Sequence, residues 1–380
     1  MQPTEKNGKG MILPSGRRMI MFEKTLACIA GGIDIGYPSA AVAVGRGYDV
    51  YLREFLGRRQ IEPTELPITE NTLFDLASLS KLVSTTMVAL RFLEDGRFCL
   101  RDTIGMYLPS SGNFRGVQIR HLMTHTSGIS PHLPLYTLCE KEDGTKTDPI
   151  ETILNSEPVC KIGEEVYYSC MGYILLQRIL ETIAGEKLDV LAKRLVFDPL
   201  GMKNTCYNPK SEDVAATEFS PHWQEWTTGH VHDENAHWLG GVSGNAGVFS
   251  TLDDMITFAG MCACRGKTRD GKLFLTRRVF DKAVNNYTPD LDESRGLGFQ
   301  LMGTQWSPMG DLMSPGSYGH TGFTGTSLYV DSETGLWGVL LTNSVHYGRN
   351  NRDASYPIRR KFYNLMTTEF ERHLAAGDIR

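Results

Sequence analysis

At 380 residues, 41% of them hydrophobic and 22% charged, the chain has an ordinary globular composition. Its length suits two lobes, or one domain with a large insertion. A net charge of −5 and the lack of any basic run argue against nucleic acid as a partner, and no stretch approaches the roughly 20 apolar residues of a membrane helix.

Residues 1–21 read as a polar leader. The opening MQPTEKNGKGMILPSGRRMIMF carries basic residues but lacks the apolar core of a signal peptide. The eight cysteines are scattered without a CxxC pair, as expected of reduced, mostly buried thiols, and Cys262 and Cys264 read as packing residues. The expected location is the cytoplasm, unless an export signal has been removed.

In chain order, residues 22–32 are expected to be helical. Residues 39–44, the Gly45-Arg46-Gly47 turn and residues 49–55 read as a hairpin. Residues 80–93 have helical spacing, with Leu82, Thr86, Ala89, Leu90 and Leu93 in register, and stop at Asp95-Gly96. From about 100 to 285 helices and long loops dominate, most clearly helical at 172–184 and 190–196. Residues 327–331 and 336–342 form a second hairpin around Ser332-Glu333-Thr334-Gly335, and 354–374 a terminal helix. Strands at both ends around a helical middle predict an α/β lobe from 22–85 plus 286–380, with a mainly helical lobe from 86–285 inserted in it.

Within this frame the run FDLASLSKLV, residues 74–83, is unusual. Ser78 and Lys81 stand three apart where a helix begins, so they share a face. A serine hydroxyl is a poor nucleophile until a base takes its proton, and a buried lysine kept neutral is such a base. The helix N-terminus also favours an oxyanion formed on attack. Taken alone, S-x-x-K is a weak signal, about one chance match in a chain of this length. Two further segments strengthen it: Tyr168-Ser169-Cys170 just before an amphipathic helix, and His320-Thr321-Gly322 at the expected start of a strand in the C-terminal hairpin.

The order 78–81, 168, 320 resembles the serine β-lactamase-like superfamily, in its branch of class C β-lactamases, DD-peptidases and esterases; a related set, S-x-x-K, S-D-N and K-T-G, marks class A β-lactamases and penicillin-binding proteins. Flanking segments resemble it too: TLFDLAS (72–78), HLMTHTSG (121–128), AGVFST (246–251) and LTN (341–343). The resemblance spans about residues 22–375. It implies a β-lactamase/transpeptidase-like fold, α/β plus all-α, with an antiparallel sheet flanked by helices and an inserted helical lobe. It also implies roles: Ser78 the acylated nucleophile, Lys81 its base, and Tyr168 the proton relay to the leaving group. The backbone N–H groups of Ser78 and Phe323 would form the oxyanion hole, and Cys170, His320, Thr321 and Gly322 would meet the substrate. It implies no metal and no other cofactor.

Two positions depart from the pattern. Cys170 stands where the family usually has an asparagine, and a thiol is a poor substitute for an amide that touches both lysine and substrate. His320 stands where K-T-G has a lysine, removing a fixed charge for a substrate carboxylate. Both changes weaken the case for an efficient β-lactamase.

The segment HWQEWTTGHVHDENAHW, 222–238, holds three of the five tryptophans and four of the ten histidines. It is expected to line the cleft through Trp223, Trp226, His232, Asp233 and Asn235. A metal set of His230, His232, Asp233 and His237 lacks any known zinc spacing. His121, His125 and Ser127 read as scaffold, because H-E-x-x-H is absent, and no G-x-S-x-G elbow occurs.

The expected function is therefore a serine hydrolase that forms an acyl-enzyme on Ser78, esterase-like on small esters or amides. A DD-carboxypeptidase, penicillin-binding protein or weak β-lactamase acting on a peptide or β-lactam is the alternative, and acyl transfer follows if another nucleophile displaces water. In a different class stands a catalytically weak ligand-binding sensor, against which the intact Ser78, Lys81 and Tyr168 argue.

Overall fold

The computed structural model describes residues 21–108, 112–140, 144–221, 223–303 and 307–379; the expected leader lies, except for Met21, outside them. The strands are β1 (Ser39–Arg46), β2 (Asp49–Gln60), β3 (Leu66–Pro67), β4 (Phe74–Asp75), β5 (Cys206–Tyr207), β6 (Phe219–Ser220), β7 (Glu225–Trp226), β8 (Val248–Ser250), β9 (Gln300–Leu301), β10 (Tyr318–Thr321), β11 (Ser327–Val330) and β12 (Leu336–Thr342). A seven-stranded antiparallel sheet runs in the order β3-β2-β1-β12-β11-β10-β9, so its strands come from residues 39–67 and 300–342. β1 pairs with β12 from Ala40 opposite Thr342 to Arg46 opposite Leu336, which joins the two expected hairpins edge to edge. A smaller sheet, β4-β8-β5, carries the segment leading to Ser78.

Period-two alternation explains how the sheet is covered on both faces. Ala40, Val42 and Val44 of β1, with Leu336 and Leu340 of β12, pack against Phe362, Tyr363, Met366 and Phe370 of the C-terminal helix Arg352–Ala376. Ala41 and Ala43, with Trp337, Val339 and Leu341, face the other core, which contains Leu252, Met255 and Ala259 of helix Leu252–Ala263. The first helix, Glu23–Ala30, is held to the last one by Glu369, whose carboxylate accepts from the Lys24 and Thr25 N–H groups and the Thr25 hydroxyl. An acidic group at a helix N-terminus satisfies otherwise orphaned donors.

Two details differ from the expectations. The helix after Ser78 begins at Leu79 but widens to π-type turns over Lys81–Thr86 before Met87–Glu94 continues as α-helix. All six residues of that turn are buried, since the widened turn spreads side chains around more of the helix face than regular spacing predicts. His320 does not open a strand; it lies in β10, which ends at Thr321 and turns through Gly322–Thr326 into β11. All eight cysteines are free, and among the described residues no helix is long and apolar enough to cross a membrane.

Candidate active site

β4 ends in a tight turn that aims Ser78. Ala77 adopts φ 47°, a left-handed conformation unusual for a residue with a Cβ. It is held there because its N–H donates to the buried Asp75 carboxylate at 2.8 Å. The other carboxylate oxygen accepts from the His232 N–H at 2.8 Å. Burial pushes the Asp75 carboxyl up, against the pull of those two backbone donors. The turn is pinned from β8 as well: Leu76 N–H donates to the Val248 carbonyl, and Val248 N–H to the Ser80 hydroxyl. Ser78 is thus half-buried at the head of a helix.

Lys81 is completely buried and reaches back over that turn. Its Nζ lies 3.0 Å from Ser78 Oγ, 2.9 Å from the Asn245 carbonyl oxygen and 3.5 Å from Cys170 Sγ. It also sits 4.9 Å from the centre of the Tyr168 ring. Burial works against charge on this amine, the neighbouring Cys170 and Tyr168 side chains work for it, and the balance lies above the usual lysine range.

Tyr168 is positioned by the helix cap after it and by the ring beneath it. Ser169 caps helix Cys170–Ala184, its hydroxyl accepting from Gly172 N–H at 3.1 Å and donating to the Ser130 carbonyl. His125 Nδ1 accepts from Ser169 N–H at 3.0 Å, and the His125 carbonyl from Tyr167 N–H. The His125 ring packs 4.4 Å from that of Tyr168, so this scaffold histidine sets the tyrosine's place directly. Burial, then Arg295 and Lys81, hold His125 far below the usual histidine range, so it is neutral. Arg295, which no sequence motif marks, is buried with its guanidinium 5.3 Å from the Tyr168 ring centre and paired to Glu293 at 2.6 Å. The Tyr168 hydroxyl itself is buried and, among the described residues, makes no hydrogen bond of ordinary geometry; Lys81 is its nearest polar neighbour of consequence.

The H-T-G segment is stitched to the nucleophile turn. Thr324 donates its hydroxyl to the Asp75 carbonyl at 2.7 Å, and Thr326 to the Leu76 carbonyl at 3.1 Å. Gly322 lies so close that a Cβ there would overlap the Leu76 carbonyl and the Thr326 hydroxyl. Phe323, next in sequence, is thereby fixed beside the Ser78 turn. His320 lies with its ring centre 5.8 Å from that of Tyr168. Its Nδ1 is 2.7 Å from the Thr321 carbonyl, which makes Nδ1–H the donor and leaves Nε2 a lone-pair acceptor, buried and unpartnered among the described residues. Burial, then Arg295 and Lys81, push His320 down to about 3, so position 320 carries no charge near neutral pH.

Residues 223–238 divide between support and surface. His232 bonds Glu218 at 2.9 Å and stacks 5.5 Å from Phe323, backing the H-T-G loop. Asp233 caps the short helix Glu234–Trp238, and the buried Asn235 side chain ties the backbone of Leu133 and Leu135. Trp223 packs on His237 and His230, while Trp226 packs on His346. The four-residue metal set does not converge, and among the described residues no three His, Cys, Asp or Glu side chains are grouped to hold an ion. His121 accepts from Gln118 N–H, and Ser127 from Ile129 N–H, so neither forms a dyad.

An antiparallel sheet between helical layers, with a lysine-backed serine heading a helix at its edge, defines a protein of the β-lactamase and penicillin-binding fold. Among solved structures, EstCE1, "a hydrolase with promiscuous acyltransferase activity", superposes with TM-score 0.70 at 21% identity, covering 91% of this chain and 98% of its own. A penicillin-binding protein homolog from Caulobacter crescentus also superposes with TM-score 0.70, at 18% identity, covering 91% and 97%. A protein of Escherichia coli (strain K12) named "Putative D-alanyl-D-alanine carboxypeptidase" is 29% identical over 359 residues, 84% of this chain and 81% of its own. The Beta-lactamase family pattern matches residues 24–360, and the chain belongs to that family. It is a β-lactamase-related serine hydrolase.

Proposed function

We propose that the protein forms an acyl-enzyme on Ser78 and hydrolyses small uncharged esters in preference to amides. The observation that carries this reading is the 3.0 Å contact between Ser78 Oγ and the Nζ of a fully buried Lys81. The Lys81 amine takes the Ser78 proton as Oγ attacks the substrate carbonyl carbon. The developing oxyanion is met by the N–H groups of Ser78 and Phe323. Tyr168, exchanging a proton with Lys81, protonates the leaving alkoxide as the carbonyl reforms and the alcohol departs. In the second half water attacks the acyl carbon, gives its proton to the same pair, and Ser78 is released.

The preference rests on two groups. His320, neutral and locked by Thr321, supplies no cation for a substrate carboxylate. Cys170 Sγ occupies the place beside Lys81 where an amide would recognise a substrate amide, and a thiol is a weak donor and acceptor. The E. coli relative's name favours a second reading, cleavage of a D-alanyl-D-alanine peptide. One panel separates the two: kcat/KM for p-nitrophenyl butyrate, a chromogenic cephalosporin and an acyl-D-alanyl-D-alanine peptide. The ester is expected to react fastest. A peptide rate above the ester rate would overturn the preference, and no turnover of any of them would favour a binding protein.

A further inference from the structure

The proposed mechanism leaves one nucleophile at its centre unused. Cys170 Sγ lies 3.5 Å from Lys81 Nζ, half-buried, at the first turn of the 15-residue helix Cys170–Ala184. A thiol within reach of a lysine side chain and in the first turn of a helix is placed as oxidation-prone cysteines are. The other cysteines are placed differently. Burial pushes the thiols of Cys28, Cys160, Cys206, Cys262 and Cys264 up. Cys139 is buried and donates to the Thr152 hydroxyl at 3.3 Å, and Cys99 is on the surface.

The surroundings also have unfilled capacity for a polar oxygen. Among the described residues, four polar atoms on residues that border Lys81 or Tyr168 are buried without partners: the Tyr168 hydroxyl, Asn245 Nδ2, His320 Nε2 and Arg295 Nε. Asn245 and His320 are both more than nine-tenths buried, and Asn245 offers its backbone oxygen to the same Lys81 Nζ. One oxygen added to Cys170 would lie next to an amine that Ser78 needs.

We propose that Cys170 is an oxidative modification site through which a peroxide switches the enzyme off. The Cys170 thiolate attacks hydrogen peroxide, the O–O bond breaks, sulfur is oxidised to sulfenic acid and hydroxide leaves. The new oxygen then takes a hydrogen bond from Lys81 Nζ in competition with Ser78 Oγ, and Ser78 loses its base. Reduction by a dithiol returns the thiol and water. This rests on the reading of Lys81 as the partner of Ser78, but the site of oxidation does not.

The test exposes the whole protein to hydrogen peroxide with dimedone present, maps the adduct by peptide mass, and in parallel follows fluorophosphonate capture by intact mass. The dimedone adduct is expected on Cys170 ahead of Cys99, with fluorophosphonate capture falling at least ~10-fold and returning after dithiothreitol when dimedone is omitted. Cys170→Ser, compared with its own untreated rate, is expected to lose less than about half of its capture rate under the same dose. Dimedone on Cys99 or elsewhere but not on Cys170 would overturn the site. Dimedone on Cys170 with capture unchanged would overturn the switch. Untreated protein that captures no fluorophosphonate would instead overturn the acyl-enzyme reading, with the dimedone map still deciding the site.

Discussion

Gly322→Ala probes the contact that sets the nucleophile turn against the H-T-G loop. An added Cβ would overlap the Leu76 carbonyl oxygen and the Thr326 hydroxyl. The first is backbone of the Ser78 turn and has no rotamer to yield, so turn and loop must separate by roughly 1 Å to reach ordinary contact. Overpacking of this kind costs about 1–3 kcal/mol of stability. The greater effect falls on catalysis, because the Phe323 N–H moves away from the place where the oxyanion forms. A misplacement of about 1 Å, or the loss of one oxyanion donor, lowers kcat by roughly 10²–10³-fold. The assay is steady-state hydrolysis of p-nitrophenyl butyrate, beside a thermal melt showing that the variant is folded. The expected result is a fall in kcat with KM little changed. A folded variant with wild-type kcat would refute the placement of the oxyanion hole beside Gly322.

Three further expectations arise from the same geometry. Lys81→Ala should lower the second-order rate of Ser78 acylation by about 10²–10⁴-fold while the protein stays folded, and acylation at the wild-type rate would sink its role as base. Cys170→Asn should raise the amide-to-ester ratio of kcat/KM, and an unchanged ratio would mean that this side chain does not set the preference. Stability should fall as pH drops below about 6.5: His320, at about 3, and His121, held to about 4 by burial and then Arg120, take up protons in the unfolded chain first. His320 contributes up to ~1.4 kcal/mol of lost stability per pH unit in that window, and the partly exposed His121 less, because solvent screens it. Glu218, where bonds from His232 and Arg349 outweigh burial and bring it to about 2, adds a further loss below its unfolded value of about 4.5. Urea unfolding between pH 7 and 5 checks this, with a shallower slope expected for His320→Gln and a flat wild-type profile contradicting it.

Ser78, Lys81 and Tyr168 could be singled out because their chemistry is carried by side-chain type at short, fixed spacing. The two hairpins were legible from alternation and from their glycine turns. Their pairing through β1 and β12 was not, since it joins residues about 300 positions apart and depends on which edges the helices leave free. The π-type turn over Lys81–Thr86 escapes a reading based on regular helical spacing, because the local widening leaves the residue types unchanged. Arg295 escapes because a single arginine in DESRGLGFQ has no pattern; only the folded chain brings it under Tyr168. Asn245 contributes to Lys81 through a backbone oxygen, and backbone contacts leave no trace in residue identity. His125 reads as scaffold in the sequence, and its bond to Ser169 N–H and its packing on the Tyr168 ring show what that scaffold does, which is to hold Tyr168 over Lys81.

Mass measurement of the intact protein after exposure to a fluorophosphonate, on wild type and on Ser78→Ala, tests the acyl-enzyme most directly. A single adduct on wild type that is lost in Ser78→Ala is the predicted result. A folded wild type that gains no adduct, or a Ser78→Ala variant that keeps it, would contradict the assignment of Ser78 as the nucleophile.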